Sequence, residues 1–137
     1  MLAIVKGILV SIASISLIVG CVGILNSMYT SVLERRKEIG IMKSIGAKDR
    51  EVMLLFILES GIMGFIGGIL GIILGIILSF GVQLTAAAAG FKLLKVTISP
   101  MLLIGGMLFA VMIGMLSGAL PARQAARLHP VDALRGQ

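Results

Sequence analysis

The stretch ERRKEIGIMKSIGAKDRE, Glu34 to Glu51, holds ten of the chain's eighteen charged side chains. What flanks it decides the fold. Gly7 to Leu33 is a run of 27 residues without a formal charge, Ser60 to Phe91 is a second such run, and Val96 to Ala122 is a third. A helix needs only about 20 apolar residues to cross about 30 Å of hydrocarbon. The pattern predicts an all-α membrane protein with three transmembrane helices at about 8–32, 60–82 and 100–120. The charged segment 34–51 would join the first two, a loop at 83–99 the second and third, and a basic tail, 121–137, would close the chain.

Composition agrees. The 137 residues are 58% hydrophobic and 13% charged, about half the usual charge content of ~25% in globular domains. A net charge of +6 with no Trp and a single Tyr does not suit nucleic acid, because no aromatic residue is interleaved with the basic cluster to stack on bases. A cleaved signal peptide has an apolar core of only about 7–15 residues, far shorter than the first run, and no A-x-A site follows. One Cys and one His form neither a disulfide framework nor a metal cluster, and no Ser/His/Asp, Cys/His or paired-carboxylate set is present. The sequence predicts a chain that is not an enzyme and binds no cofactor of its own. Cys21 reads as a small packing residue within the first span.

With three spans, segment 34–51 and the tail share one side. That side carries Arg35, Arg36, Lys37, Lys43, Lys48, Arg50, Arg123, Arg127 and Arg135, whereas the other carries Lys6, Lys92 and Lys95. Basic residues mark the cytoplasmic face. The expectation is a multi-pass protein of the cell (plasma or inner) membrane with its N-terminus outside and its C-terminus in the cytoplasm.

The second span contains SGIMGFIGGILGIILG, in which Gly64/Gly68, Gly67/Gly71 and Gly71/Gly75 are each four apart. Small residues at that spacing let helices approach closely in lipid, within the bundle or against another chain. Gly20 and Gly23 in the first span, with Gly114 and Gly118 in the third, offer matching grooves. The glycines do not cradle phosphate, since no Lys completes a P-loop pattern. Glu59 borders the second span and, without a His, Lys or Asp partner in the other spans, reads as an interfacial or intersubunit hydrogen-bonding residue. Ser99-Pro100 reads as the start of the third helix, with Ser as N-cap and Pro in the first turn.

Within the charged segment, the first helix is compatible with continuing to about Glu38. Ile39, Ile41, Met42 and Ile45 then form a short apolar face, Gly40 permits a bend and Gly46 suits a helix C-terminus. Asp49 and Glu51 fall where the next helix dipole favours acidic residues. Such an element suits either a membrane surface or a soluble docking partner. In the tail, Pro121 and Pro130 divide PARQAARLHPVDALRG into a short helix and a terminal turn. Its arginines could rest on anionic headgroups, and His129 reads as exposed.

Gly23 to Gly71 resembles the signature region of the FtsX-like permease domain of ABC transporters, of the macrolide-exporter and lipoprotein-release type. The pattern E-R-x-x-E-I-G-I-x-x-[SA]-[IL]-G-A is present, followed by a helix with L-E and a glycine ladder. LPARQAARLHPVDALR, Leu120 to Arg135, resembles the family's closing motif, so the likeness covers nearly the whole chain, 1–137. It implies that the segment is similar to a coupling helix seated in a cleft of a partner ABC ATPase, with Glu34, Arg35, Glu38, Ile39, Gly40, Ile41, Gly46 and Ala47 as the matching residues. ATP would be bound by that partner. It further implies a permease subunit that pairs with a second permease chain and couples ATP hydrolysis to export or to mechanical work outside the membrane. Full-length members begin with another membrane helix and a large extracytoplasmic domain; this chain matches from their second helix onward. The alternative from the residues alone is a small membrane scaffold, assembled through its glycine-rich helix without an ATPase.

Overall fold

The structure, a computed structural model, describes residues 2–88 and 99–128. Those residues form four helices: α1 (Leu2–Glu34), α2 (Arg36–Ser44), α3 (Asp49–Ala88) and α4 (Pro100–Ala126). Helices α1, α3 and α4 are each long and apolar enough to cross a membrane. The three spans predicted from the uncharged runs are therefore present, each inside a longer helix. Helix α3 continues to Ala88, so the first part of the anticipated loop 83–99 is helical. The remainder of that loop, with Lys92 and Lys95, lies outside the described residues.

The long helices meet where side chains are smallest. A Cβ built on Gly64 would stand 2.6 Å from the Ala110 carbonyl oxygen and 3.2 Å from the Gly114 Cα. One built on Gly114 would stand 2.7 Å from the Ser60 carbonyl oxygen and 2.9 Å from the Gly64 Cα. Both obstacles are backbone, so neither can rotate away. One turn to either side, Gly68 meets Ala110 and Met107, and Gly118 meets Ser60. Ser60 is fully buried and its hydroxyl donates to the Ile57 carbonyl at 2.8 Å, which satisfies the group without a partner helix. These pairings fix α3 and α4 antiparallel.

Only part of the expected ladder works this way. Gly67, Gly71 and Gly75 have open space where a Cβ would stand, as do Gly20 and Gly23 on α1. The cause is rotational: Gly67 and Gly71 are offset from the Gly64/Gly68 stripe by three residues rather than four, and only that stripe faces α4. Helix α1 packs by Cys21, Ile24, Met28, Ser31 and Val32, while residues 3–20 are exposed along its first half.

The main core lies at one end of the molecule. Val32, Ile39, Val52, Phe56, Ala122 and Ala125 are buried together, with Met42, Met53, Ile57 and Leu128 packed around them. All four helices contribute to it. Helix α4 runs unbroken through Pro121 to Ala126, which corrects the expectation that Pro121 would start a separate short helix; Pro121 is buried against the neighbouring helices instead. Pro130, His129 and Arg135 lie outside the described residues. Ser99 is the N-cap of α4 and Pro100 its first residue, although the Ser99 hydroxyl makes no capping bond.

Backbone contact at Gly114 makes a direct prediction. Gly114→Ala should lower the midpoint of thermal unfolding in detergent, in line with an overpacking cost of about 1–3 kcal/mol. Gly71→Ala, placed in open space, should leave it unchanged.

Candidate docking helix and its anchor

Helix α2 is separated from α1 by one residue. Arg35 sits at φ −95°, ψ 15°, off the helical basin, yet its N–H still donates to Ser31 at 3.0 Å and its carbonyl accepts from Ile39 at 3.0 Å. The break therefore falls at Arg35. The first helix does not continue to Glu38, and Gly40 does not bend the chain but lies buried in mid-helix. At the other end the sequence reading holds. Gly46 has φ +106°, which a residue with a Cβ adopts only under strain. Ala47 N–H donates to Met42 at 3.0 Å and Gly46 N–H to Lys43 at 3.1 Å, the paired bonds of a Schellman stop. Lys48 then caps α3, with Glu51 reaching back to its N–H at 3.1 Å, as the third residue of a helix does in a capping box.

The apolar residues of α2 do not share one face. At about 100° per residue, Ile41 and Ile45 stand about 40° from each other and more than about 100° from Ile39. Ile39 is fully buried, whereas Ile41 is 53% exposed and Ile45 81% exposed. Ile39 thus belongs to the chain's own core, joined by Met42. Outward-facing Ile41 and Ile45 are framed by exposed Lys37, Glu38, Ser44 and Lys48. Glu34 and Arg35 are exposed at the hinge, and Ala47 is half-buried.

A residue that the sequence reading did not single out holds this helix in place. The Lys43 ammonium donates to the carbonyl of Ala126 and, at 2.9 Å, to that of Leu128. It also pairs with the Asp49 carboxylate at 2.8 Å. Its side chain is only 9% exposed. The last carbonyls of a helix lack partners within the helix, and the macrodipole favours a cation there. Lys43 therefore closes α4 while tying α2 to the first residue of α3. The sequence signal was available: Lys43 follows buried Ile39 by four residues and so lies on the same face.

Glu59 is reached by Arg35, whose guanidinium stands 3.7 Å from one carboxylate oxygen. This is an ion pair at longer than hydrogen-bond range, and the other oxygen is buried without a partner. The anticipated interfacial carboxylate thus faces the hinge of the same chain. Arg123 and Arg127 are exposed near the close of α4.

The family model described as FtsX-like permease C-terminal matches residues 10–130. The chain belongs to that family. It is 42% identical over 99% of its length to an ABC transporter permease of Methanocaldococcus jannaschii, covering 34% of that protein. It is 45% identical over 97% of its length to an ABC transporter permease of Bacillus subtilis, covering 32% of it. Against the macrolide export ATP-binding/permease protein MacB of Haemophilus ducreyi it is 46% identical over 90% of its length and covers 17% of that protein. The chain therefore spans about a third or less of these relatives. Membership in this permease family and three membrane-length helices make it a membrane protein.

Replacing the anchor tests its weight. Lys43→Met leaves two helix-terminal carbonyls without a charged donor, and should cost about 1.5–3 kcal/mol. Hydrogen exchange should accelerate at the end of α4 and in α2. Asp49→Asn, at a carboxylate 70% exposed, should cost less than about 1 kcal/mol.

Proposed function

We propose that this chain is the membrane-embedded permease portion of an ABC transporter and that α2 is the element its ATPase grips. The observation that carries the reading is the division of α2 into two faces. One face, Ile39, Met42 and Lys43, is fastened to α3 and α4. The other presents Ile41 and Ile45 to solvent within a frame of mixed charge. An exposed apolar pair ringed by charges has the make-up of a docking centre with a polar rim. Because its inner face is fixed to α3 and α4, a push on the outer face reaches the membrane helices. Glu34, Arg35 and Glu38 would orient the partner by charge, and ATP would be bound and hydrolysed by that partner.

The basic excess at this end of the bundle supports a cytoplasmic location by the positive-inside rule, as a docking site for an ATPase requires. Open Gly67, Gly71 and Gly75 favour a second permease chain as a neighbour, since small residues without a Cβ obstacle admit a close helix. The same stripe would serve a scaffold without an ATPase, but such a scaffold has no use for the exposed face of α2. The relatives' names support both a separate permease and a permease joined to its ATP-binding portion.

Co-purification of the nucleotide-binding subunit tests this. Ile41→Asp and Ile45→Asp should each reduce the retained ATPase at least about tenfold, a loss of about 1.4 kcal/mol or more, with unchanged thermal stability. Ile39→Asp is unsuitable because it places a charge in the core. Full retention of the ATPase by both surface variants would sink the docking role.

A further inference from the structure

Arg50 at the start of α3 and Arg123 and Arg127 at the close of α4 line one cavity of about 350 Å³, together with Asp49, Met53 and Ala126. Two helices contribute the guanidiniums, so the cluster exists only once α3 and α4 have paired. The nearby acidic groups are already engaged: Asp49 with Lys43, and Glu51 with the Lys48 N–H. Among the described residues, no carboxylate pairs with Arg50, Arg123 or Arg127. Among the described residues, the cavity therefore carries three positive charges against one committed negative charge. Guanidiniums suit phosphate oxygens through their planar paired donors.

The surroundings select the kind of phosphate. Arg123 and Arg127 lie on the helical face of α4 that carries Met112, Leu116 and Leu120, all more than half exposed. That apolar stripe runs along the spanning helix and ends one turn before the first arginine. Leu54 is likewise half-exposed one turn above Arg50. A basic cavity at the foot of an exposed apolar stripe has the shape of an amphiphile in negative image. A soluble protein partner would meet the arginines but leave the stripe uncovered. We propose that this cavity is a binding site for the headgroup of an anionic phospholipid, whose acyl chains lie along α4. The site is separate from the docking face of α2 and does not depend on an ATPase.

Native mass spectrometry of the purified full chain, in detergent mixed with phosphatidylglycerol and phosphatidylcholine, reads the site directly. Phosphatidylglycerol should be retained in preference. A basic residue beside anionic lipid gains about fivefold in affinity. Arg50→Gln should therefore weaken retention about fivefold, and the pair Arg123→Gln/Arg127→Gln about 25-fold. The pair Arg36→Gln/Lys37→Gln removes the same charge from the exposed face of α2 and should have no effect. Equal retention of both lipids, or equal loss in the α2 pair, would overturn the proposal. So would displacement of the lipid by millimolar inorganic phosphate, which would mark the site as one for soluble anions. If the Arg123/Arg127 pair instead lost a co-purifying ATPase while keeping its lipid, the arginines would belong to a protein interface and the proposal would fail.

Discussion

The approach of α3 to α4 at Gly64 and Gly114 governs the rest of the bundle. With backbone against backbone there, the two helices have one register, and Val52 and Phe56 come opposite Ala122 and Ala125. That meeting creates the core in which Ile39 is buried, and it brings the carbonyl end of α4 within reach of Lys43. Hydrocarbon supplies no hydrophobic drive between helices, so contact depends on shape and on the few polar groups that need partners. Glycine provides the first. Lys43 answers to the second.

The consequence for α2 is that its position is set from inside the chain. Burial of one Ile side chain is worth about 1.5–3 kcal/mol, and the Lys43 contacts add a directional component that burial lacks. Such a helix holds its place before any partner arrives, so a partner need not order it on binding. Because Lys43 contacts α3 and α4 together, a force on α2 would be shared between two spans rather than carried along one connection.

The fold was legible because three uncharged runs of membrane length admit few other arrangements. Gly46 was legible because a C-terminal stop needs positive φ, and Asp49 and Glu51 because helix dipoles choose their charges. Less was legible at α2. Ile39, Ile41, Met42 and Ile45 form one apolar set by composition, and only their angles about the axis divide them between core and surface. Lys43 was hidden among five other basic residues of the same segment, because a charge count carries no information on which lysine meets a carbonyl 83 residues away. The glycine ladder was half legible: spacing identifies the stripes, but which stripe faces a neighbour depends on a rotation that α4 decides. Pro121 misled because a proline's missing N–H matters less in a helix that packed neighbours support.

Helix α3 has 40 residues and so is about 60 Å long, twice the hydrocarbon thickness of about 30 Å. Its backbone contact with α4 at Gly64 divides it unequally, about 22 Å from the Asp49 end and about 36 Å from the Ala88 end. If α3 tilted as a rigid rod about that contact, its Ala88 end would move opposite to its Asp49 end and about 1.6-fold further. The place of the glycine pair along α3 would then fix the ratio of the two movements.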